Sequence, residues 1–238
     1  MLFRSYNAIF PCFASAVLAD RVCLAWGIRH TPYAVASAPP ESIAGLLACL
    51  LAGAFFGVVG MLFARSTRRI SGIFKARIAY APLRPLVGGA LIALAVWALG
   101  STRYIGLGIP VMLESFTRTQ PPWDFAAKAA FTALTLGAGF KGGEVTPLFF
   151  IGATMGSAIS RVLPIPTDVL AGMGFVAVFA GAANTPLSST LMAMELFGAK
   201  MGVPAGLSCV ASYLCSGSQG IYGSQRVGHP KPGEPPPL

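Results

Sequence analysis

Apolar residues come in long runs along this chain, and most polar residues are gathered between them. The stretches 8–26, 43–64, 86–99, 148–163, 169–183 and 203–214 are nearly free of charge, interrupted only by Asp20, Arg21 and Arg161. Crossing a bilayer core takes about 20 apolar residues as a helix, and 43–64 has that length. The pattern predicts helices over 8–26, 42–64 and 85–99, a short one over 111–119, and one over 123–136 that starts amphipathic. Three short apolar helices follow over 147–163, 169–183 and 186–197, and a last span runs over 203–215. The segment 27–41 carries three prolines and reads as a loop; 100–110 is glycine-rich and turns the chain. Helices this short do not all cross a bilayer independently. They suit re-entrant or half-crossing elements, whose ends must be buried in protein or line a polar cavity. The expected fold is therefore an all-α membrane protein, a bundle of tilted, partly re-entrant transmembrane helices. One membrane domain is expected over 1–227, followed by a disordered proline-rich tail over 228–238.

Composition strengthens this picture. Hydrophobic residues make up 55% of the 238 positions and charged residues 11%, about half the charge of an ordinary soluble domain. Glycine (28) and proline (19) are abundant. In a membrane bundle, small residues let backbones approach and neighbouring helices repair broken hydrogen bonds. Gly53 with Gly57, and Gly152 with Gly156, have the small-xxx-small spacing suited to such contact, but Gly53 with Gly57 is read as ordinary membrane-helix composition. The net charge of +9 points at first to nucleic acid. However, Arg65, Arg68, Arg69, Lys75, Arg77 and Arg84 crowd between two apolar spans with no acid among them. That is the positive-inside pattern of a cytoplasmic loop, and too few aromatics are interleaved for an RNA surface. A multi-pass protein of the cell (inner) membrane is expected, with the lipid bilayer as partner and no nucleic acid. Cys12, Cys23, Cys49, Cys209 and Cys215 show no CxxC pairing and read as small buried hydrophobes. No catalytic triad, paired catalytic acids, phosphate loop or metal-ligand cluster is present, so neither an enzyme, a cofactor nor a metal is expected.

The chemistry is concentrated where the helices break. In Gly137-Ala-Gly-Phe-Lys-Gly-Gly-Glu-Val-Thr-Pro147, Thr146 is placed as an N-cap and Pro147 as the first helical residue. Gly142 and Gly143 let the backbone turn sharply ahead of that start. Free amides and the positive end of the helix dipole attract an anion there, without a side-chain cation. Glu144 lies directly in the turn. A carboxyl among apolar groups is costly and suggests function, either carrying a proton or competing with an anion; equally, it could cap the helix through its own backbone amides. Thr185 and Pro186 repeat the cap-plus-proline arrangement at a second break. Glu195, near the end of the helix that follows, reads as a structural anchor. Tyr222 lies between glycines after the last span, either donating to an anion or sitting at the membrane interface. Lys141 is given no role.

These motifs carry a resemblance. Gly142-Gly-Glu-Val-Thr-Pro147, followed by Gly152 and Gly156, resembles the GG-x-x-x-P…G…G motif of the CLC chloride channel and transporter family. The run from Ala171 to Glu195 resembles that family's following pair of helices. The resemblance implies a homodimer, each subunit with its own ion pathway and built from two inverted halves, of which this chain is similar to the second. It implies backbone contacts from Glu144 and Val145 to an anion, with Tyr222 as a further contact. Chloride-handling members usually carry two apolar residues after the glycines. Glutamate at that place is similar to the fluoride/proton antiporter branch, implying fluoride and protons as the transported partners. The family's first-half anion motif Gly-x-Gly-x-Pro and its Gly-x-Glu-Gly-Pro motif are not identified; Gly106-Leu-Gly-Ile-Pro110 looks superficially like the former but is flanked differently and not followed by the glutamate motif, and is taken as a turn. Fluoride/proton antiport is thus the leading expectation. Chloride conduction or chloride/proton exchange is the rival, and a non-transporting fragment or assembly module the alternative of another class.

Overall fold

The computed structural model describes residues 9–28 and 31–222. The expected tail at 228–238 lies outside the described residues. Nine α-helices are described: α1 (Ile9–Ala25), α2 (Ile43–Arg77), α3 (Leu83–Leu99), α4 (Ile109–Thr117), α5 (Asp124–Gly137), α6 (Val145–Ile159), α7 (Thr167–Ala183), α8 (Pro186–Phe197) and α9 (Gly202–Cys215). A single 3-10 turn, Ala199–Met201, joins α8 to α9. No strand occurs among the described residues.

The main departure from expectation is α2. The basic stretch expected to be a loop is helical through Arg77, so the helix has 35 residues. Arginine and lysine favour helix, and no proline intervenes before Pro82. Lys75 and Arg77 fall in the last turn, where positive charge complements the helix dipole. Ser42 caps the other end, its hydroxyl accepting from the Gly45 N–H at 3.1 Å. Of the described helices, α2 alone is long and apolar enough to cross a membrane; α3, α6 and α7 are apolar but shorter.

α7 occupies the centre. It packs against α6, α9, α2, α8 and α4, and Val169, Leu170, Met173, Val176 and Ala177 are completely buried. A helix apolar all round belongs inside a bundle. Hydrocarbon is as apolar as leucine, so association here depends on close van der Waals contact, which the glycines permit. Gly152 of α6 sits directly against the Gly174 carbonyl of α7, and Gly156 against the Leu170 carbonyl. A Cβ on Gly53 would stand 2.5 Å from the Ser208 carbonyl oxygen of α9, and Gly57 is pressed on Ser212 one turn further along. Both small-residue faces therefore serve as helix contacts, including Gly53 with Gly57, expected from the sequence to be ordinary membrane-helix composition. Phe149 stacks on Phe175 at 4.2 Å between ring centroids, beside Phe116, Tyr33 and Phe197.

A polar cluster pins the chain ahead of α4. The buried Asp124 carboxylate accepts from Arg103 at 2.9 Å and from the Tyr104 hydroxyl at 2.8 Å. One turn along α5, the buried Lys128 ammonium donates to the carbonyls of Gly106 (2.6 Å) and Tyr104 (3.1 Å), and lies 5.1 Å from the Phe150 ring centre. Gly106 and Gly108 have φ of +64° and +72°. A side chain on Gly108 would also run into the Phe150 ring, so glycine is required there twice over. This segment forms the expected turn. α4 then begins at Ile109, two residues earlier than its predicted start, with Pro110 in its first turn.

The cysteines are all free. Cys49 and Cys209 are buried as expected, but Cys12 and Cys215 are exposed on the helix surfaces. Cys23 is half-buried; an apolar segment puts only one face inside the bundle, so the expectation holds fully for two of the five.

Candidate anion site

The α6 start lies where the glycine turn leads, but its register differs from the sequence reading. Glu144 is the N-cap, Val145 the first helical residue, and Thr146 and Pro147 follow inside the first turn. Thr146 is therefore not the cap and Pro147 not the first helical position. The first turn has no intrahelical partners for its N–H groups, so proline is tolerated throughout it. The expected cap-then-proline pair is one of several registers that satisfy the same rule. The Glu144 side chain makes no capping hydrogen bond, which removes the purely structural reading of that carboxyl as a cap. Its backbone carbonyl accepts from the Leu148 N–H at 3.3 Å.

Around this corner the backbone is open. Gly142 and Gly143 are exposed, and a Cβ on Gly143 would meet nothing within 4 Å. Among the described residues no acceptor pairs with the Val145 and Thr146 N–H groups. Pro147 has no N–H, so the orphan donors of the turn are concentrated on the residues beside Glu144. The Glu144 carboxyl is half-buried, and its Oε2 is shut off from solvent without a hydrogen-bond partner. Buried carboxyl oxygens are normally satisfied, so an unpartnered one beside open amides has the character of a site awaiting an ion or a proton. Thr146 lines a cleft of about 530 Å³ with Phe149, Phe175, Tyr33, Ile109 and Glu195. Glu195, read as a structural anchor, thus stands on the wall of a cavity.

Tyr222 is brought to the same corner from the far end of the chain. It lies within electrostatic reach of Glu144, although 78 positions separate 144 from 222 in sequence. The α7–α8 break explains the approach. Thr185 is the N-cap of α8 with Pro186 its first residue, as expected. Asn184, in the left-handed region at φ +56°, ends α7. The carbonyl of Ala182 accepts from the Ile221 N–H at 2.8 Å, and the Asn184 amide donates to the Ser218 carbonyl at 3.2 Å. The second break thereby holds the segment that carries Tyr222. The phenol remains 39% exposed, leaving one side open. Gly142, Gly143, Glu144, Val145, Thr146 and Pro147 therefore form one corner at the α6 start, and Tyr222 stands within electrostatic reach of its Glu144. Lys128, Arg103 and Asp124, which position the chain beside Phe150 of α6, were not singled out by sequence reading. Their only signal is charge inside an otherwise apolar region.

Short helices that start inside an apolar bundle define a membrane protein of the broken-helix kind. The chain belongs to the voltage gated chloride channel family, whose sequence pattern matches residues 1–217. It is 52% identical to the "Chloride/fluoride channel protein" of Pseudomonas syringae pv. tomato over 238 residues, covering 98% of this chain and 53% of that protein. It is 29% identical over 164 residues to the "H(+)/Cl(-) exchange transporter ClcA" of Cronobacter sakazakii, covering 62% of this chain and 34% of that one. Among solved structures, that of a CLC-type fluoride/proton antiporter superimposes with a TM-score of 0.87 at 30% identity, covering 92% of this chain and 56% of that one. The fold is thus the CLC-type helical fold, and the chain spans about half the length of these relatives.

Proposed function

We propose that this chain forms the second half of a CLC-type transporter subunit that exchanges fluoride for protons across the cell (inner) membrane. Its α6 corner would form part of the anion site. The observation that carries this reading is the Glu144 carboxyl, with Oε2 buried and unpartnered, set beside the open amides of Val145 and Thr146 and within reach of Tyr222. Fluoride is small and strongly hydrated, so it is released from water only to strong donors. Backbone amides at a helix start and a protonated carboxyl supply donors of that kind. A carboxyl that alternately holds and yields a proton couples the two fluxes. The similarity to a chloride/fluoride channel protein and to a fluoride/proton antiporter supports fluoride over chloride. By the same resemblance the assembled subunit is a homodimer with one ion path per protomer.

The test is fluoride efflux from loaded liposomes carrying this chain together with the first half of its Pseudomonas relative. Glu144→Gln keeps size and polarity but cannot exchange a proton. It is expected to abolish proton-coupled fluoride movement, seen as loss of the accompanying pH change. Undiminished coupled flux in this variant removes Glu144 from the mechanism. Competition by excess chloride separates the chloride-transport rival.

A further inference from the structure

Tyr222 does not sit on a helix. It ends a non-helical strap that leaves α9 at Ser216 and runs over 216–222. Gly217 turns the strap at φ +71°. A non-helical strap carrying a ligand group needs to be held if that group is to meet an ion repeatedly in one place. On one side the α7–α8 corner holds it, through Ala182 and Asn184 as described. On the other side, Arg68 of α2 donates from Nη1 to the Gly220 carbonyl at 2.7 Å and from Nη2 to the Gln219 carbonyl at 3.5 Å. Among the described residues no carboxylate pairs with this guanidinium. The neighbouring Arg65 lines a small cavity of about 160 Å³ with strap residues 216–219, but its guanidinium makes no such bond to the strap among the described residues. Of the basic residues on α2, Arg68 is thus set apart by its target: the carbonyl two positions before Tyr222.

We propose that Arg68 is a positioning residue for the anion site, a forked clamp that fixes the strap so that the Tyr222 hydroxyl faces the α6 corner. The inference rests on the anion-site reading above and names a residue outside that corner that sets its geometry. Guanidinium suits the task, since its planar fork reaches two successive carbonyls at once and is always charged.

Two measurements on the purified full-length chain test it. The first is fluoride binding by titration calorimetry for Arg68→Ala, Tyr222→Phe and the double variant. Arg68→Ala is expected to weaken fluoride binding about fivefold, the size of one net hydrogen bond lost from the clamp. Because Arg68 acts through Tyr222, the double variant should bind no more weakly than Tyr222→Phe alone. Arg68→Lys, which can reach only one of the two carbonyls, should recover part of the loss. The weakening should persist when ionic strength is raised with a non-binding salt, whereas simple attraction of the anion by a surface charge would be screened. Additive losses, or a loss that vanishes in salt, overturn the clamp. If Tyr222→Phe weakens binding and Arg68→Ala does not, the anion site stands and the clamp falls. The second measurement is the ¹⁹F NMR signal of 3-fluorotyrosine placed at position 222, which does not depend on fluoride binding. Arg68→Ala should broaden or shift that signal, and an unchanged resonance overturns the proposal. If no variant changes fluoride affinity while the resonance still moves, the clamp survives and the anion-site reading fails.

Discussion

At the scale of single residues, the proposed site is made by what is left unsatisfied. Glu144 matters because its Oε2 has no partner, and Val145 and Thr146 because their N–H groups are the orphans of a helix start. Lys128 shows the opposite case, a charge that is buried but fully employed. Lys128→Ala leaves the carbonyls of Gly106 and Tyr104 without their donor and opens a void beside Phe150. We expect a destabilisation of about 2–4 kcal/mol, read as a lower melting temperature of the protein in detergent. An unchanged melting temperature would mean that these bonds only repay the desolvation of the ammonium. Much of this chemistry was legible beforehand. Glu144 stands out because a carboxylate among apolar residues needs a reason, and Tyr222 because it is flanked by glycines. Neither the distance between them nor Arg68's attachment to the strap could be read from spacing. The first arises from tertiary contacts to the α7–α8 corner, the second from bonds that α2 makes to the strap. The exact cap was missed because proline fits any position of a first helical turn.

At the scale of elements, glycine decides how closely the helices lie. Gly152 and Gly174 oppose one another across α6 and α7, each pressed on the other's carbonyl. Gly152→Ala therefore forces the two helices apart at the element that begins with the site. We expect a cost of about 1–3 kcal/mol from overpacking, together with weaker fluoride binding. Gly72, on α2, is the control: a Cβ there meets nothing within 4 Å. Gly72→Ala should be neutral or stabilise by up to about 1 kcal/mol through helix propensity alone. Thermal unfolding of the two variants side by side checks the contrast, and equal losses would refute the packing argument. The apolar runs made the helices legible to within a few residues at most ends. The exception, α2, is physically informative. A run of basic residues marks where a chain leaves the hydrocarbon, not where it stops being helical, so charge located the membrane boundary while the helix continued through it.

At the scale of the whole molecule, that continuation predicts an orientation. A 35-residue helix is about 52 Å long at 1.5 Å per residue, well beyond the roughly 30 Å of a hydrocarbon core. The apolar part of α2 bears exposed Leu47, Leu51, Phe55 and Leu62, side chains suited to lipid or to further protein. Its last turns carry Arg65, Arg68, Arg69, Lys75 and Arg77, so this end projects into the aqueous phase. Positive charge beside a membrane span stays on the cytoplasmic side. The strap bonded by Arg68, and the small cavity at Arg65, are then expected to face the cytoplasm, and the start of α2 at Ser42 the other side. Thiol labelling can test this in a background where the exposed Cys12 and Cys215 are replaced by alanine. A cysteine in place of Ala76 should react with a membrane-impermeant maleimide only in inside-out vesicles. One in place of Glu41 should react only in right-side-out vesicles or intact spheroplasts. Reversed labelling would turn the molecule over and place the Tyr222 strap at the outer mouth of the proposed path. Labelling of both positions from one side would mean that α2 does not cross the membrane, and the proposed ion path would lose its frame.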